Sequence, residues 1–300
     1  MKRTRNSNIE ILRIISMLFI VISHYTVHKG VLNASLPISF NRILLEITTL
    51  GNIGVILFVL ISGYFMIEQK RLKFKKIISL YLQIVFYSLG IYIIFMLLGL
   101  ESFSVKEFIK SVFPITFGAY WFMSCYMILY LLSPFINKFL NGLSRAEYLK
   151  YLLLMVFIFS ILTTVTTKSF YGNELIQFIL FYSIGAYFKK YPKNIFNNDK
   201  LNKWLLLLTS LLLVLSTVFF CIIGTRISIF NLRSSYFFDR TSFLALLFSL
   251  SIFNIFINRK QFNNKLINII GSCTLGIYLI HDNFLIRSII WSDLFIMQNT

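Results

Sequence analysis

The chain has 300 residues, of which 57% come from the apolar set AVILMFWYC and only 13% are charged. A soluble domain runs at roughly 45–50% apolar and about 25% charged, so this sequence lacks the polar side chains to clothe a globular surface, and an all-α, polytopic membrane protein is expected instead. The formal net charge of +18 raises nucleic acid as a partner, but the cations sit in short clusters between apolar runs, as in chains that orient themselves in a bilayer, and no nucleic-acid partner is expected.

A spanning helix needs about 20 mostly apolar residues. Nine segments are candidates: Ile9–Val27, Leu50–Ile67, Ile77–Leu100, Tyr120–Asn137, Tyr148–Thr167, Glu174–Phe188, Trp204–Gly224, Thr241–Ile257 and Leu266–Phe284. The sixth and eighth are short. Phe103–Phe117 is amphipathic, carries Pro114, and is expected to lie in the interface or re-enter it. With the N-terminus in the cytoplasm, the inside segments 1–8, 68–76, 138–150, 189–203 and 258–265 hold 19 Lys and Arg, whereas the outside segments 28–49, 101–119, 168–172, 225–240 and 285–300 hold 9. This asymmetry predicts a cytoplasmic N-terminus. The densest cluster, E-Q-K-R-L-K-F-K-K at 68–76, reads as an anchor against anionic membrane lipids. The basic start Met1–Asn8 is followed by an apolar run too long for a signal peptide and without a cleavage site, so the first helix is expected to stay as an anchor.

Helix one, N-I-E-I-L-R-I-I-S-M-L-F-I-V-I-S-H-Y-T-V-H, carries the first chemistry. Arg13 lies about one turn inside it, and an intramembrane Arg is costly on a lipid-facing surface. His24 follows eleven residues later, which at 100° per residue returns to within about 20° of the Arg13 direction, roughly 16 Å along the axis. Glu10 shares that stripe and is placed to pair with Arg13 at i,i+3. His28 lies about a turn further out, past the apolar run. The second helix, G-N-I-G-V-I-L-F-V-L-I-S-G-Y-F, offers Gly51, Gly54 and Gly63 for close helix approach; its Ser62 has no base near it in sequence and is not read as a nucleophile. Tyr120 and Trp121 open the fourth helix either as an aromatic belt or as a platform for a sugar. The ninth ends G-S-C-T-L-G-I-Y-L-I-H-D-N, with Gly271, Thr274, Tyr278 and His281 on one face. His24 and His281 each lie fifteen residues past the start of their expected helices, about 22 Å up, so the two imidazoles are placed at similar depth and suited to line one cavity.

Cys125, Cys221 and Cys273 are far apart inside apolar segments and read as small core hydrophobes. There is no phosphate-binding Gly loop, no H-E-x-x-H and no paired-Cys site, so no metal is expected.

Four stretches together, 8–25, 51–65, 120–137 and 272–283, resemble acyltransferase family 3, integral-membrane O-acyltransferases that modify cell-surface polysaccharides. The R-x10-H of helix one and the G-V-x-L-F run ending S-G-Y-F carry the likeness. The resemblance implies a single domain over 1–300 in the cell membrane. It implies acetyl-CoA as cytosolic co-substrate rather than a bound cofactor, and as acceptor a hydroxyl of a capsular or other surface glycan, or of its lipid-linked precursor. It maps an essential arginine and histidine onto Arg13 and His24, and places Glu10, Ser62, Tyr64, Trp121, Tyr278 and His281 among residues that bind donor or acceptor. Family members usually have ten helices, so the last helix is expected to be missing here. A glycan or lipid-linked sugar flippase, or a small-molecule transporter, explains the helices and orientation equally well but does not by itself explain R-x10-H together with a second outer-leaflet histidine; a third reading, a non-catalytic membrane subunit, follows from the missing helix.

Overall fold

The computed structural model describes residues 5–28, 40–166, 174–227, 230 and 233–290. It is 79% helical with no strands among the described residues. In chain order the helices are α1 (Ser7–His28), α2 (Phe40–Ile47), α3 (Gly51–Met66), α4 (Phe74–Leu97), α5 (Val105–Val112), α6 (Trp121–Gly142), α7 (Arg145–Thr166), α8 (Glu174–Lys190), α9 (Asp199–Gly224), α10 (Phe243–Ile257), α11 (Lys265–His281) and α12 (Phe284–Ser288). Six stretches are long and apolar enough to cross a bilayer: Ser7–Val27, Arg42–Met66, Phe74–Leu97, Trp121–Gly142, Arg145–Thr166 and Asp199–Gly224. Helices α8, α10 and α11 have 17, 15 and 17 residues. At 1.5 Å per residue they reach about 22–26 Å, short of a hydrocarbon core of about 30 Å.

Local chemistry sets the boundaries. The Ser144 hydroxyl accepts from the Glu147 amide at 3.3 Å while Glu147 accepts from the Ser144 amide at 2.8 Å, a capping box that starts α7 three residues before the expected Tyr148. Asn198 caps α9 through the Leu201 amide at 3.1 Å, moving its start from the expected Trp204 back to Asp199. Pro134 sits inside α6 and has no amide for the Tyr130 carbonyl; the Ser133 hydroxyl donates to that carbonyl at 2.7 Å instead, and the helix continues to Gly142. The amphipathic piece expected around Phe103–Phe117 forms α5, started by Ser104, which accepts from the Glu107 amide.

Two expectations are corrected. Segment 28–49 is not simply an outer loop: α2 lies in it, with Arg42 and Glu46 buried and 3.8 Å apart. Their i,i+4 spacing turns both polar groups to the same side, so a short helix with an inward polar face has the hydropathy of a loop. Helix nine does not run to Phe284. It stops at His281, because the Asn283 side-chain oxygen Oδ1 accepts from the Leu285 amide at 3.0 Å and caps the start of α12.

Helix α3 forms the centre, against α1, α8 and α10. A Cβ added at Gly63 would collide with the Tyr182 carbonyl, and one at Gly185 with the Leu60 carbonyl. Helices α3 and α8 therefore meet backbone to backbone, a contact open to glycine alone. On the periphery, α4 exposes Ile78, Leu82, Phe86, Ile93 and Leu97, and α9 exposes Leu208, Leu211, Leu215, Phe219 and Ile222. Apolar rows of that extent belong against lipid tails.

The cation-rich segments gather at one end. Ser7 donates its amide to the Phe262 carbonyl at 2.9 Å and Arg5 reaches the Asn268 carbonyl at 3.1 Å. Lys190 donates to the Leu140 and Asn141 carbonyls, Asn141 to that of Ile67, Arg145 to that of Lys193, and Asn258 to that of Phe196. The segments expected to share one side of the membrane are tied to each other by these bonds.

Candidate functional site

Helix α1 carries the site at two depths. At the cation-rich end Glu10 is buried between two arginines, with Oε1 3.4 Å from Arg13 Nη1 and 3.6 Å from Arg5 Nε. Its other oxygen has no hydrogen-bond partner and presses on Gly271, where an added Cβ would collide with it. Glycine at this point of α11 is what admits the carboxylate. The Arg13 guanidinium is a third exposed, because it borders two cavities. One, of about 310 Å³, has Arg5, Arg13 and Lys76 at the cation-rich end and passes Ser62 and Thr274 to reach Phe122 and Tyr278. The other, of about 420 Å³, is bordered by Glu10, Tyr64 and Lys189 as well as by Arg5 and Arg13.

At the other end of α1, His24 Nδ1 lies 3.0 Å from His281 Nε2, with ring centroids 5.0 Å apart. His281 Nδ1 is 2.6 Å from the Ile277 carbonyl. A carbonyl only accepts, so His281 carries its proton on Nδ1 and presents a lone pair at Nε2. His24 then donates from Nδ1, and its own lone pair is on Nε2. Asp282 Oδ1 stands 3.6 Å from His24 Nδ1 and 2.6 Å from Arg287 Nη2. The pair of imidazoles thus has a carboxylate beside it, and that carboxylate is clamped by an arginine from α12. Such an arrangement suits a neutral imidazole that must become cationic for one step.

A layer of rings separates the two depths. Tyr278, buried at the far end of the 310 Å³ cavity, lies 6.1 Å from His281, 5.8 Å from Phe122 and 5.9 Å from Tyr120, centroid to centroid. Tyr120 in turn donates to the Leu279 carbonyl at 3.0 Å and accepts from Asn283 at 2.9 Å, which holds the break after α11 in place.

The expected residues divide as follows. Glu10 and Arg13 meet directly, and His24 meets His281, whereas Arg13 and His24 lie at different depths of the same helix. Gly271, Thr274, Tyr278 and His281 are all buried, in accord with a shared inward face. Ser62 borders the Arg13 cavity, but its hydroxyl donates to the Phe58 carbonyl at 2.9 Å. Tyr64 borders the other cavity, with Lys189 5.3 Å above its ring. Trp121 stands apart from both cavities, its ring covered at 4.9 Å by Arg240, which also binds Glu174 and Gln177 at 2.9 Å each. The His28 side chain lies outside the described residues. Tyr120, expected in an aromatic belt or a sugar platform, instead braces the end of α11, and no role was expected of Asp282, Asn283 or Arg287. For Asp282 the signal was adjacency to His281; for Arg287, which reaches back over a helix break, there was none.

A helical bundle with apolar outer faces and ionisable groups arrayed inside is an integral-membrane protein. The chain belongs to the acyltransferase family known as acyltransferase family 3: the family model described as "Acyltransferase domain" matches residues 6–299, and the protein is accordingly a membrane acyltransferase. Neither a curated protein nor a solved structure matches the chain.

Proposed function

We propose that the protein moves an acetyl group from acetyl-CoA to a hydroxyl of a cell-surface glycan or of its lipid-linked precursor in the plasma membrane. The observation that carries this reading is the hydrogen bond from His24 to His281, fixed in direction by the Ile277 carbonyl. A sugar hydroxyl is a weak nucleophile at neutral pH and needs a positioned base; His24 Nε2 has the lone pair. As the hydroxyl oxygen attacks the acyl carbon and the carbon–sulfur bond breaks, the hydroxyl proton passes to His24, and from there to the departing thiolate. Asp282 stabilises the transient imidazolium, and His281 keeps the ring in register. At the other depth Arg13 and its neighbours Arg5 and Lys76 supply cations to the donor's phosphates. The acyl-bearing arm lies along the apolar wall of Met17, Ile20 and Phe58. With the N-terminus in the cytoplasm this end faces the acetyl-CoA pool and the histidines face the glycan.

The test is surface glycan from cells with and without the gene, examined by proton NMR before and after mild alkali. Loss of alkali-labile acetyl signals with glycan amount unchanged is expected. Loss of the glycan itself would instead identify a flippase. The orientation is read by cysteine labelling in a Cys-free background, with position 72 reached from the cytoplasm and position 230 from outside; labelling of both from one side would overturn it.

A further inference from the structure

We infer that the groove between the α3–α4 linker and the end of α6 is a binding site for one anionic phospholipid. This groove, of about 740 Å³, is separate from both cavities around Arg13. Lys70, Arg71 and Lys138 border it, together with Leu72, Phe74 and Phe135. The three cations are exposed, and among the described residues none of them makes an ion pair with a carboxylate. No acidic side chain borders the groove. Its charge is therefore uncompensated and complementary to a phosphodiester.

The linker that presents Lys70 and Arg71 is held in shape. Asn137 of α6 donates to the Met66 carbonyl at 2.7 Å and to the Gln69 carbonyl at 2.9 Å, and its own oxygen accepts from Tyr182 at 2.7 Å. Asn141 adds a bond to the Ile67 carbonyl at 3.2 Å, and Gln69 one to the Tyr130 hydroxyl at 3.2 Å. The backbone under the cations is thus ordered before any ligand arrives, which spares the ligand that entropy.

The apolar half of the groove selects a lipid over a soluble anion. Phe74 and Phe135 are 67% and 71% exposed, and Phe74 begins the outward row that continues through Ile78 and Leu82 along α4. A headgroup seated on the cations leaves its acyl chains on this row, at the end of the bundle where the cation-rich segments lie. A free phosphate would use the cations and leave the phenylalanines bare. Each juxtamembrane cation adds a modest attraction for anionic lipid, so the three together give a preference rather than tight capture of a headgroup alone.

The test is native mass spectrometry of the full chain in neutral detergent with equal amounts of phosphatidylglycerol and phosphatidylcholine bearing the same chains. The expected result is one retained phosphatidylglycerol, preferred roughly tenfold or more, with the preference falling to within about twofold in Lys70→Gln/Arg71→Gln/Lys138→Gln. These side chains are exposed, so the variant should fold; a triple variant at the same end but outside the groove, Lys193→Gln/Lys200→Gln/Lys203→Gln, should keep the preference. Phe74→Ala/Phe135→Ala should weaken retention of both lipids. Equal retention of the two lipids by the unaltered protein would overturn the inference. So would an equal loss in the control triple, or displacement by glycerol 3-phosphate at the concentration of the lipid.

Discussion

Asp282→Asn separates a catalytic use of the carboxylate from a structural one. The carboxylate stands 3.6 Å from His24 Nδ1. At an effective dielectric of about 20, unit charges at that distance interact by roughly 4–5 kcal/mol. Two observations reduce this. Arg287 sits 2.6 Å from the same oxygen, and the His24 side chain is 20% exposed. About 1–2 kcal/mol should survive, and only while His24 carries the transferred proton, so kcat should fall roughly 5–30-fold with donor KM unchanged. The substitution also leaves Arg287 without its counter-ion. That guanidinium is 35% exposed and keeps its bond to the Asp282 carbonyl, so stability should drop by about 1–2 kcal/mol, less than for a fully buried pair. The double variant Asp282→Asn/Arg287→Gln removes the stranded charge. Measured by thermal unfolding and by acetyl transfer in proteoliposomes, it should recover most of the lost stability and little of the lost rate. Recovery of the rate together with the stability would show that the carboxylate serves the fold alone, and would refute its role at His24.

His24→Ala should lower acetyl transfer by 10²-fold or more, the usual worth of a general base, with protein level and glycan amount normal; retention of more than about a tenth of the rate would remove His24 from that role. His281→Ala, which takes away the acceptor that orients His24, should fall between this and His28→Ala, expected to be mild. Arg13→Ala should raise the apparent donor KM and lose most activity while Arg13→Lys keeps part, a split that steady-state kinetics with varied acetyl-CoA resolves; unchanged kinetics in Arg13→Ala would leave Arg13 as a partner of Glu10 only. Gly63→Ala forces α3 away from the Tyr182 carbonyl and should cost about 1–3 kcal/mol or more of stability, read as a lower unfolding temperature in detergent; an unchanged temperature would show that the helix contact is not tight there.

Much of this arrangement could be read from spacing alone. Glu10, Arg13 and His24 share a face because three and eleven residues are near-integral turns of a helix, and that rule needs no tertiary knowledge. The depth of His281 followed from counting residues along its helix. What spacing could not supply was anything that depends on a chain reversal. The approach of Arg287 to Asp282 exists because Asn283 ends one helix and begins another, and a hydropathy window sees only a continuous apolar run through that break. Helix α2 was hidden for a related reason: an eight-residue element carrying Arg42 and Glu46 averages to a polar loop until the two charges are seen buried together. The ring layer of Tyr120, Phe122 and Tyr278 draws on two helices more than 150 residues apart, and the aromatic opening of α6 looked like a membrane belt because its partners lay so far along the chain.

On the proposed function, that ring layer would also serve as electrical insulation. Arg13 and its cavity approach the middle of the bundle from one end, while the two imidazoles, able to pass protons, approach from the other. Between them stand Phe122 and Tyr278, about one side chain thick. A membrane potential of 100 mV places about 2.3 kcal/mol on each unit charge that crosses it, so a leak of protons past these rings would be costly to the cell. On the proposed function, this gap would have to open for an acyl group and yet stay closed to protons. Rings serve that end: they yield to a flat apolar group, offer no chain of water, and close behind it.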